Sequence, residues 1–274
     1  MKLSSSNSPL YLPEENQTTV LRLGLQPLEK EDWIYIDDAL PIFYRHKTQL
    51  RLQHESECFQ ALAESKPAQE EFHDFLLRHL LEKTETTYQL TGHTLHDSNG
   101  KLSWQIENKD LWQASLWIAD DFCLLEKISN EYIMTAASVC SPSNWKLEEK
   151  IGTSIDAIHA PVPGYADALS TRVRKLMDGL KPHKVVMRFN WSIQKGNELF
   201  WRSDLEEMNS ANEKFWRIER QTLLRLPHTN AIAFGIRIFL HRFSVMPNKS
   251  GFNQAIAQIL QQLPSAEKAY KCLI

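Results

Sequence analysis

Glycine is scarce in this chain, and its scarcity excludes one large class of binding site. The 274 residues include only nine glycines, and the two closest in sequence, Gly92 and Gly100, are eight residues apart. Glycine-rich loops that cradle the phosphates of nucleotides need paired glycines, because backbone amides must approach the anion closely. The sequence therefore contains neither a dinucleotide-binding fingerprint nor a Walker-A loop.

A strong net charge and long apolar runs are also lacking. The formal net charge is −3 and the pI is near 6.4, which gives no general attraction to nucleic acid or to an anionic membrane. The longest apolar stretch, residues 231–240, is too short to span a bilayer and contains Arg237. The N-terminus has no apolar segment typical of a signal peptide. We expect a soluble, cytoplasmic protein that binds neither nucleic acid nor membrane.

Cysteine and histidine do not occur in the spacings that hold a metal ion. The four cysteines are scattered and form no C-x-x-C pair, and the ten histidines form no H-x-x-x-H pair. We expect reduced thiols and no zinc site. Aromatic residues, in contrast, are plentiful. Eight tryptophans and twelve phenylalanines can line a large core or a flat apolar pocket at low entropic cost.

The periodicity of apolar residues predicts an α+β fold with a largely antiparallel sheet and helical segments at both ends. Residues 1–19 are polar and predict a flexible arm, and residues 20–274 predict one domain. Helices are predicted over residues 37–63, 67–83, 141–159, 165–180 and 252–263. Strands are predicted over residues 86–94, 101–107, 111–119, 122–128, 132–140, 185–193, 216–226 and 232–240, with a turn at residues 97–100.

Arginines interrupt the three strongest strands. Arg188, Arg217, Arg220 and Arg237 each lie in an apolar segment that alternates with the period of a strand. A buried guanidinium needs a carboxylate or an anionic ligand. Pairing with acidic residues and exposure on a solvated sheet face are alternative explanations that the sequence leaves open.

His159 occupies a position that would fix the direction of its ring. It ends a predicted helix, and Pro161 follows two residues later, so the helix cannot continue. Asp156, three residues earlier, could receive one ring N–H group while the other nitrogen binds a metal. The alternative is a histidine that caps the helix by bonding to carbonyls of its last turn. His79, on a predicted apolar helix face, is interpreted as a core residue.

Four runs of the sequence resemble one known family. They are CSPSNWKLEEKIG at residues 140–152, IHAPVPGY at residues 158–165, RFNWSI at residues 188–193 and RIERQTLLRLP at residues 217–227. Together they resemble the haem-dependent oxidative N-demethylases, earlier a domain of unknown function. The resemblance covers roughly residues 30 to 263 and is densest from 138 to 242.

The resemblance implies a fold and an activity that composition does not show. It implies a PAS-like antiparallel sheet flanked by helices, with one haem b bound through a histidine. A haem-dependent monooxygenase of this kind oxidises a methylated, dimethylamine-like amine with O₂ and releases formaldehyde. Electrons would come from NADPH through a separate reductase subunit that carries FMN and an iron–sulfur cluster.

The resemblance also implies roles for individual residues. His159 is the expected iron ligand, because it lies in the most distinctive run. The residues expected to bind the haem propionates are Arg188, Arg220 and Arg237, and Trp145 is expected to wall the macrocycle. Glu219 or Tyr165 would receive the alkylammonium substrate, and Gln221 would line the same pocket. A non-catalytic PAS-like sensor of haem or a small ligand is the alternative function.

Overall fold

The computed structural model describes residues 9, 11–12, 23–83, 87–202, 213–246 and 249–270. It is α+β, as predicted, and its centre is a seven-stranded sheet in which every ladder is antiparallel. Its strands are β1 (Gln26–Leu28), β2 (Phe59–Ala61), β6 (Asp121–Ile128), β7 (Glu131–Ser138), β8 (Val185–Lys195), β9 (Lys214–Arg225) and β10 (Ile232–Arg242). Across the sheet their order is β1-β8-β9-β10-β6-β7-β2. A separate three-stranded sheet contains β3 (Tyr88–Thr91), β4 (Thr94–Asp97) and β5 (Leu102–Gln105).

Helices flank the central sheet. They are α1 (Leu40–Gln53), α2 (Glu55–Cys58), α3 (Lys66–Glu82), α4 (Leu111–Ser115), α5 (Ile155–His159), α6 (Tyr165–Ala168), α7 (Ser170–Gly179), α8 (Lys249–Gln262) and α9 (Ser265–Tyr270). The predicted apolar stripe of α3 is confirmed, because Phe72, Leu76 and Leu80 are fully buried and belong to the largest core cluster. None of the described helices is long and apolar enough to cross a membrane.

The central strands have two faces with different chemistry, and the predicted alternation is confirmed. On one face, Trp191, Ile218 and Phe239 align across β8, β9 and β10 and pack against α8. On the other face, Asn190 of β8 lies opposite Glu219 of β9. That second face of the sheet packs against α5, α7 and the segment before α5.

The predicted strand over residues 111–119 is wrong, because a side chain caps a helix there. The Asp110 carboxylate accepts a hydrogen bond from the Gln113 backbone N–H at 2.7 Å, which favours a helix start. Leu111, Ala114 and Trp117 are fully buried. Their spacing of three residues suits the buried side of a helical turn better than the period of two of a strand.

The predicted helix over residues 141–159 is also wrong for most of its length. It consists of a 3-10 turn at Leu147–Glu149 and the short helix α5. Gly152 between them has a φ of +74°, and its backbone N–H donates to Met134 of β7 at 2.8 Å. The chain therefore bonds to the sheet instead of continuing a helix, although α5 ends at His159 as expected.

Three smaller points concern elements that are divided in two and the N-terminal arm. The predicted strand over residues 86–94 is split by a turn at Gly92 into β3 and β4, and residue 86 lies outside the described residues. The predicted helix over residues 165–180 is two helices, α6 and α7. The N-terminal arm lies outside the described residues except at positions 9, 11 and 12, where Tyr11 stacks on Phe189 with ring centroids 5.0 Å apart.

Candidate functional site

A cavity of about 530 Å³ lies between the central sheet and the chain segment that leads into α5. Part of its lining is apolar and comes from β6, β7, β10 and α5. These side chains include Leu125, Met134, Ile155, Ile158 and Phe234. The polar part includes Asn190, Ser192, Glu219 and Gln221 of β8 and β9. The segment before α5 adds Ser141, Ser143 and Asn144. Pockets of roughly 300–1,000 Å³ with this mixture of surfaces typically bind small organic ligands or cofactors.

His159 lines this cavity in a single defined orientation. Its Nδ1 atom lies 2.8 Å from the carbonyl oxygen of Ile155 in the preceding turn of α5. A carbonyl only accepts hydrogen bonds, so Nδ1 carries the proton and Nε2 keeps a lone pair. On its other side the ring stacks on Tyr165, with centroids 4.8 Å apart. The helix-capping role and the metal-ligand role are therefore compatible, because they use different ring nitrogens.

The surroundings of His159 favour its neutral form. Burial lowers the pKa of the imidazole below its ordinary value, and the nearby charge of Arg188 acts in the same direction. The hydrogen bond to Ile155 acts against this shift. The prediction that Asp156 would accept the His159 N–H is wrong, because the Ile155 carbonyl occupies that position. Asp156 accepts instead from the Tyr165 hydroxyl at 3.1 Å.

Glu219 is the carboxylate of the cavity, and neighbouring side chains hold it in place. Asn190 Nδ2 and Gln221 Nε2 each donate to Glu219 Oε2 at 2.9 Å. Arg217 Nε lies 3.5 Å from Glu219 Oε1. N–H donors of this kind stabilise a carboxylate anion and restrict its rotation. The cavity thus contains an imidazole with an available lone pair and a fixed negative charge.

Comparison with known families identifies where this arrangement belongs. The family model described as haem-dependent oxidative N-demethylase, alpha subunit-like, matches residues 24–273. The chain belongs to this family. Membership indicates a haem-dependent oxidative N-demethylase-like function, and the alpha-subunit description implies a partner subunit.

The residues of the cavity fit the haem that the family name implies. Among the described residues, no group of three or more His, Cys, Asp or Glu side chains could hold a metal ion. A haem iron needs only one protein ligand, and a histidine whose second nitrogen bonds to a carbonyl is a common form of that ligand. His159 has this form. The apolar part of the lining suits the faces of a macrocycle.

Only one of the three arginines expected at the propionates lies on the cavity side of the sheet. Arg188 lies on that face of β8, opposite Gln221. Its positive charge contributes to lowering the pKa of His159. Arg220 lies on the opposite face and donates to the backbone carbonyls of Trp33 and Asp32. Arg237 also lies there, and its Nη2 contacts both carboxylate oxygens of Asp37 at 2.9 and 2.8 Å.

Of the other expected site residues, two line the cavity and one lies behind it. Trp145 and Gln221 line the cavity. Tyr165 is buried behind His159, where its ring supports the imidazole and its hydroxyl bonds to Asp156. His79 packs against Trp33 on the far side of the sheet, with ring centroids 5.1 Å apart, which agrees with its interpretation as a core residue.

Two residues at the site received no specific role from the sequence. Arg217 is fully buried. Besides Glu219, it donates to Gln194 Oε1 at 3.1 Å and to the Ser141 carbonyl, so it ties β8 and the segment before α5 to β9. Its position two residues before Glu219 on the same strand face places it beside this carboxylate. Tyr270 of α9 also lines the cavity, and no local pattern predicts this.

Proposed function

We propose that this chain is the haem-binding catalytic subunit of an oxidative N-demethylase that releases formaldehyde from a methylated amine. The observation that carries the proposal is the geometry of His159 in a cavity of a chain from this family. Its Nδ1–H donates to Ile155 at 2.8 Å, and its Nε2 is the nitrogen that would bind iron. The proposed cofactor is haem b, and the proposed oxidant is O₂. The antiparallel sheet with flanking helices is compatible with a PAS-like classification.

Several side chains would hold the cofactor. His159 would supply a nitrogen ligand to the iron, and stacking on Tyr165 would keep its ring from rotating. Arg188 is the proposed partner of a propionate, since it is the expected arginine on the cavity side and guanidinium pairs well with carboxylates. Trp145 would pack against the macrocycle. When bound, the haem supplies the oxygen chemistry, which is a property of the cofactor.

The protein would supply binding and orientation of the amine. Glu219 would receive the alkylammonium group, because it is a fixed carboxylate in the cavity lining. Asn190 and Gln221 would keep its carboxylate aligned. A substrate held in one orientation reacts faster, because its N-methyl group does not have to find the reactive position by diffusion.

Electrons would come from the partner that the family description implies. We propose an NADPH-dependent reductase with FMN and an iron–sulfur cluster. The scarcity of glycine excludes a glycine-rich NADPH or flavin cradle of the usual kind on this chain. NADPH would place the two proteins in the cytoplasm.

Absorption spectra of the purified protein test haem binding. We expect a Soret band in the wild type, and its loss or strong reduction in His159→Ala. His241→Ala is the matched control, because His241 is also buried but does not line the cavity. An unchanged spectrum in His159→Ala together with a lost band in His241→Ala would move the ligand to the other side of the sheet.

Formaldehyde assays separate the enzyme from the sensor. The haem-loaded protein is supplied with O₂, with electrons from photoreduced flavin and with an N-methyl amine such as dimethylamine. The enzyme forms formaldehyde in proportion to the amine consumed. A sensor would bind haem and show spectral shifts without forming formaldehyde.

A further inference from the structure

The last two described helices, α8 and α9, carry the chain from one side of the sheet to the other. α8 packs on the face away from the cavity, where Phe252, Ile256 and Ile259 are buried beside Trp191 and Trp216. The short helix α9 follows, and its final residues, 269 and 270, line the cavity. The aromatic side chain closest to the end of the described chain is thereby placed at the proposed substrate site.

Tyr270 lies within electrostatic range of Glu219. Burial raises the pKa of its phenol, and the negative charge of Glu219 raises it further. The phenol is therefore neutral at physiological pH. The residue is 46% exposed and also lines the cavity.

We propose that Tyr270 is a specificity-determining residue whose ring, together with the Glu219 carboxylate, binds a small methylated ammonium cation. The inference rests on the proposed function and extends it to the choice of substrate. A methylated ammonium ion carries its charge beneath methyl groups, and the face of an aromatic ring attracts such a cation. The carboxylate supplies the opposite charge. A neutral molecule of the same shape gains neither interaction, so the pair selects cationic amines.

A ring that only closes the cavity would behave differently. It would exclude water from any bound molecule, and its removal would weaken the binding of charged and neutral molecules alike. The two explanations are distinguished by a pair of probes with similar size and different charge. Tetramethylammonium is the cation, and tert-butyl alcohol is the neutral probe.

The experiment measures binding of each probe to the haem-loaded protein by calorimetry, without turnover. Tyr270→Leu should weaken tetramethylammonium binding by about tenfold, a typical effect for a lost cation–π contact. Tyr270→Phe and Tyr270→Trp should stay within about twofold of the wild type or bind more tightly, because both keep an aromatic face. Binding of tert-butyl alcohol should be unchanged throughout the series.

Tyr44→Leu is the matched control, since Tyr44 is a partly buried tyrosine that packs on Trp104 away from the cavity. It should bind both probes like the wild type. The inference is overturned if the wild type does not bind tetramethylammonium or if Tyr270→Leu binds it normally. It is also overturned if Tyr270→Leu weakens the binding of both probes equally. Absence of formaldehyde with every amine would contradict the proposed function alone, because the probe measurements do not depend on turnover.

Discussion

His79 and His159 show how surroundings separate two residues of the same type. Burial lowers the pKa of both imidazoles. His159 donates from Nδ1 to a carbonyl, whereas His79 Nε2 meets no hydrogen-bond partner among the described residues. The first has a defined tautomer in a cavity, and the second is a polar group within an apolar core. Their consequences for stability and function therefore differ.

We expect His79 to make the protein sensitive to acid. Burial lowers its pKa from 6.5 to about 4, so between these values the unfolded chain binds the proton more strongly than the folded chain. Stability is then lost as the pH falls from 6.5 towards 4, by about 2 kcal/mol between pH 7 and pH 5. His79→Phe should flatten the pH dependence of the free energy of unfolding in urea. His93→Phe, at an exposed turn, should keep the wild-type slope.

Glu219→Gln tests whether the carboxylate charge binds the proposed ammonium group. The change keeps the size of the side chain and removes its charge. We expect KM for the methylated amine to rise by about tenfold to a hundredfold, as for a lost charge-assisted contact of about 1.5–3 kcal/mol, with haem content unchanged. Glu213→Gln is the control, because Glu213 pairs with Arg242 at the surface. Wild-type turnover and substrate affinity in Glu219→Gln would show that this carboxylate does not bind the amine.

At the scale of secondary structure, the strands that carry the site could be predicted and the segment that covers them could not. The period of two correctly places Asn190, Glu219 and Gln221 on one side of their strands. The cover depends on hydrogen bonds between distant parts of the chain, such as Gly152 to Met134 at 2.8 Å. Local periodicity does not report such bonds. The position of Tyr270 at the cavity depends in the same way on how α8 packs.

A substitution at Gly152, which connects the 3-10 turn to α5, should be informative. Its φ of +74° is unfavourable for other residues, while an added Cβ would meet only Leu62 atoms at 3.8 and 4.0 Å. The cost of Gly152→Ala is therefore backbone strain, about 1–2 kcal/mol of unfolding free energy. We expect urea unfolding to show this loss and haem binding to weaken, because the strained segment leads into α5. Gly179→Ala is the control. Its added methyl meets nothing within 4 Å, and its stability should equal or exceed that of the wild type.

At the scale of the whole molecule, the central sheet separates the face that carries Arg220 and Arg237 from the face that lines the cavity. The first face contains the Arg237–Asp37 pair, in which the guanidinium also lies 4.2 Å from the centre of the Phe43 ring. Asp37 and the carbonyls that accept from Arg220 supply the acceptors that these buried arginines require. The cavity side contains His159, Glu219 and Arg188. The question left open by the sequence, whether buried arginines bind a ligand or the protein itself, is answered for Arg217, Arg220 and Arg237, which all bind acceptors of the protein. For Arg188 we propose a haem propionate.

A pair of arginine substitutions tests this division. Arg237→Gln removes one partner of a buried ion pair, so we expect the free energy of unfolding to fall by about 3–5 kcal/mol, while the folded fraction binds haem normally. Arg188→Gln should do the reverse, with weaker haem binding in titrations of the apo-protein and nearly wild-type unfolding in urea. If Arg237→Gln lost haem affinity without losing stability, Arg237 would be the propionate partner and the sheet would not separate the two roles. If both variants lost stability alone, the propionates would need a different partner, and the assignment of Arg188 would be wrong.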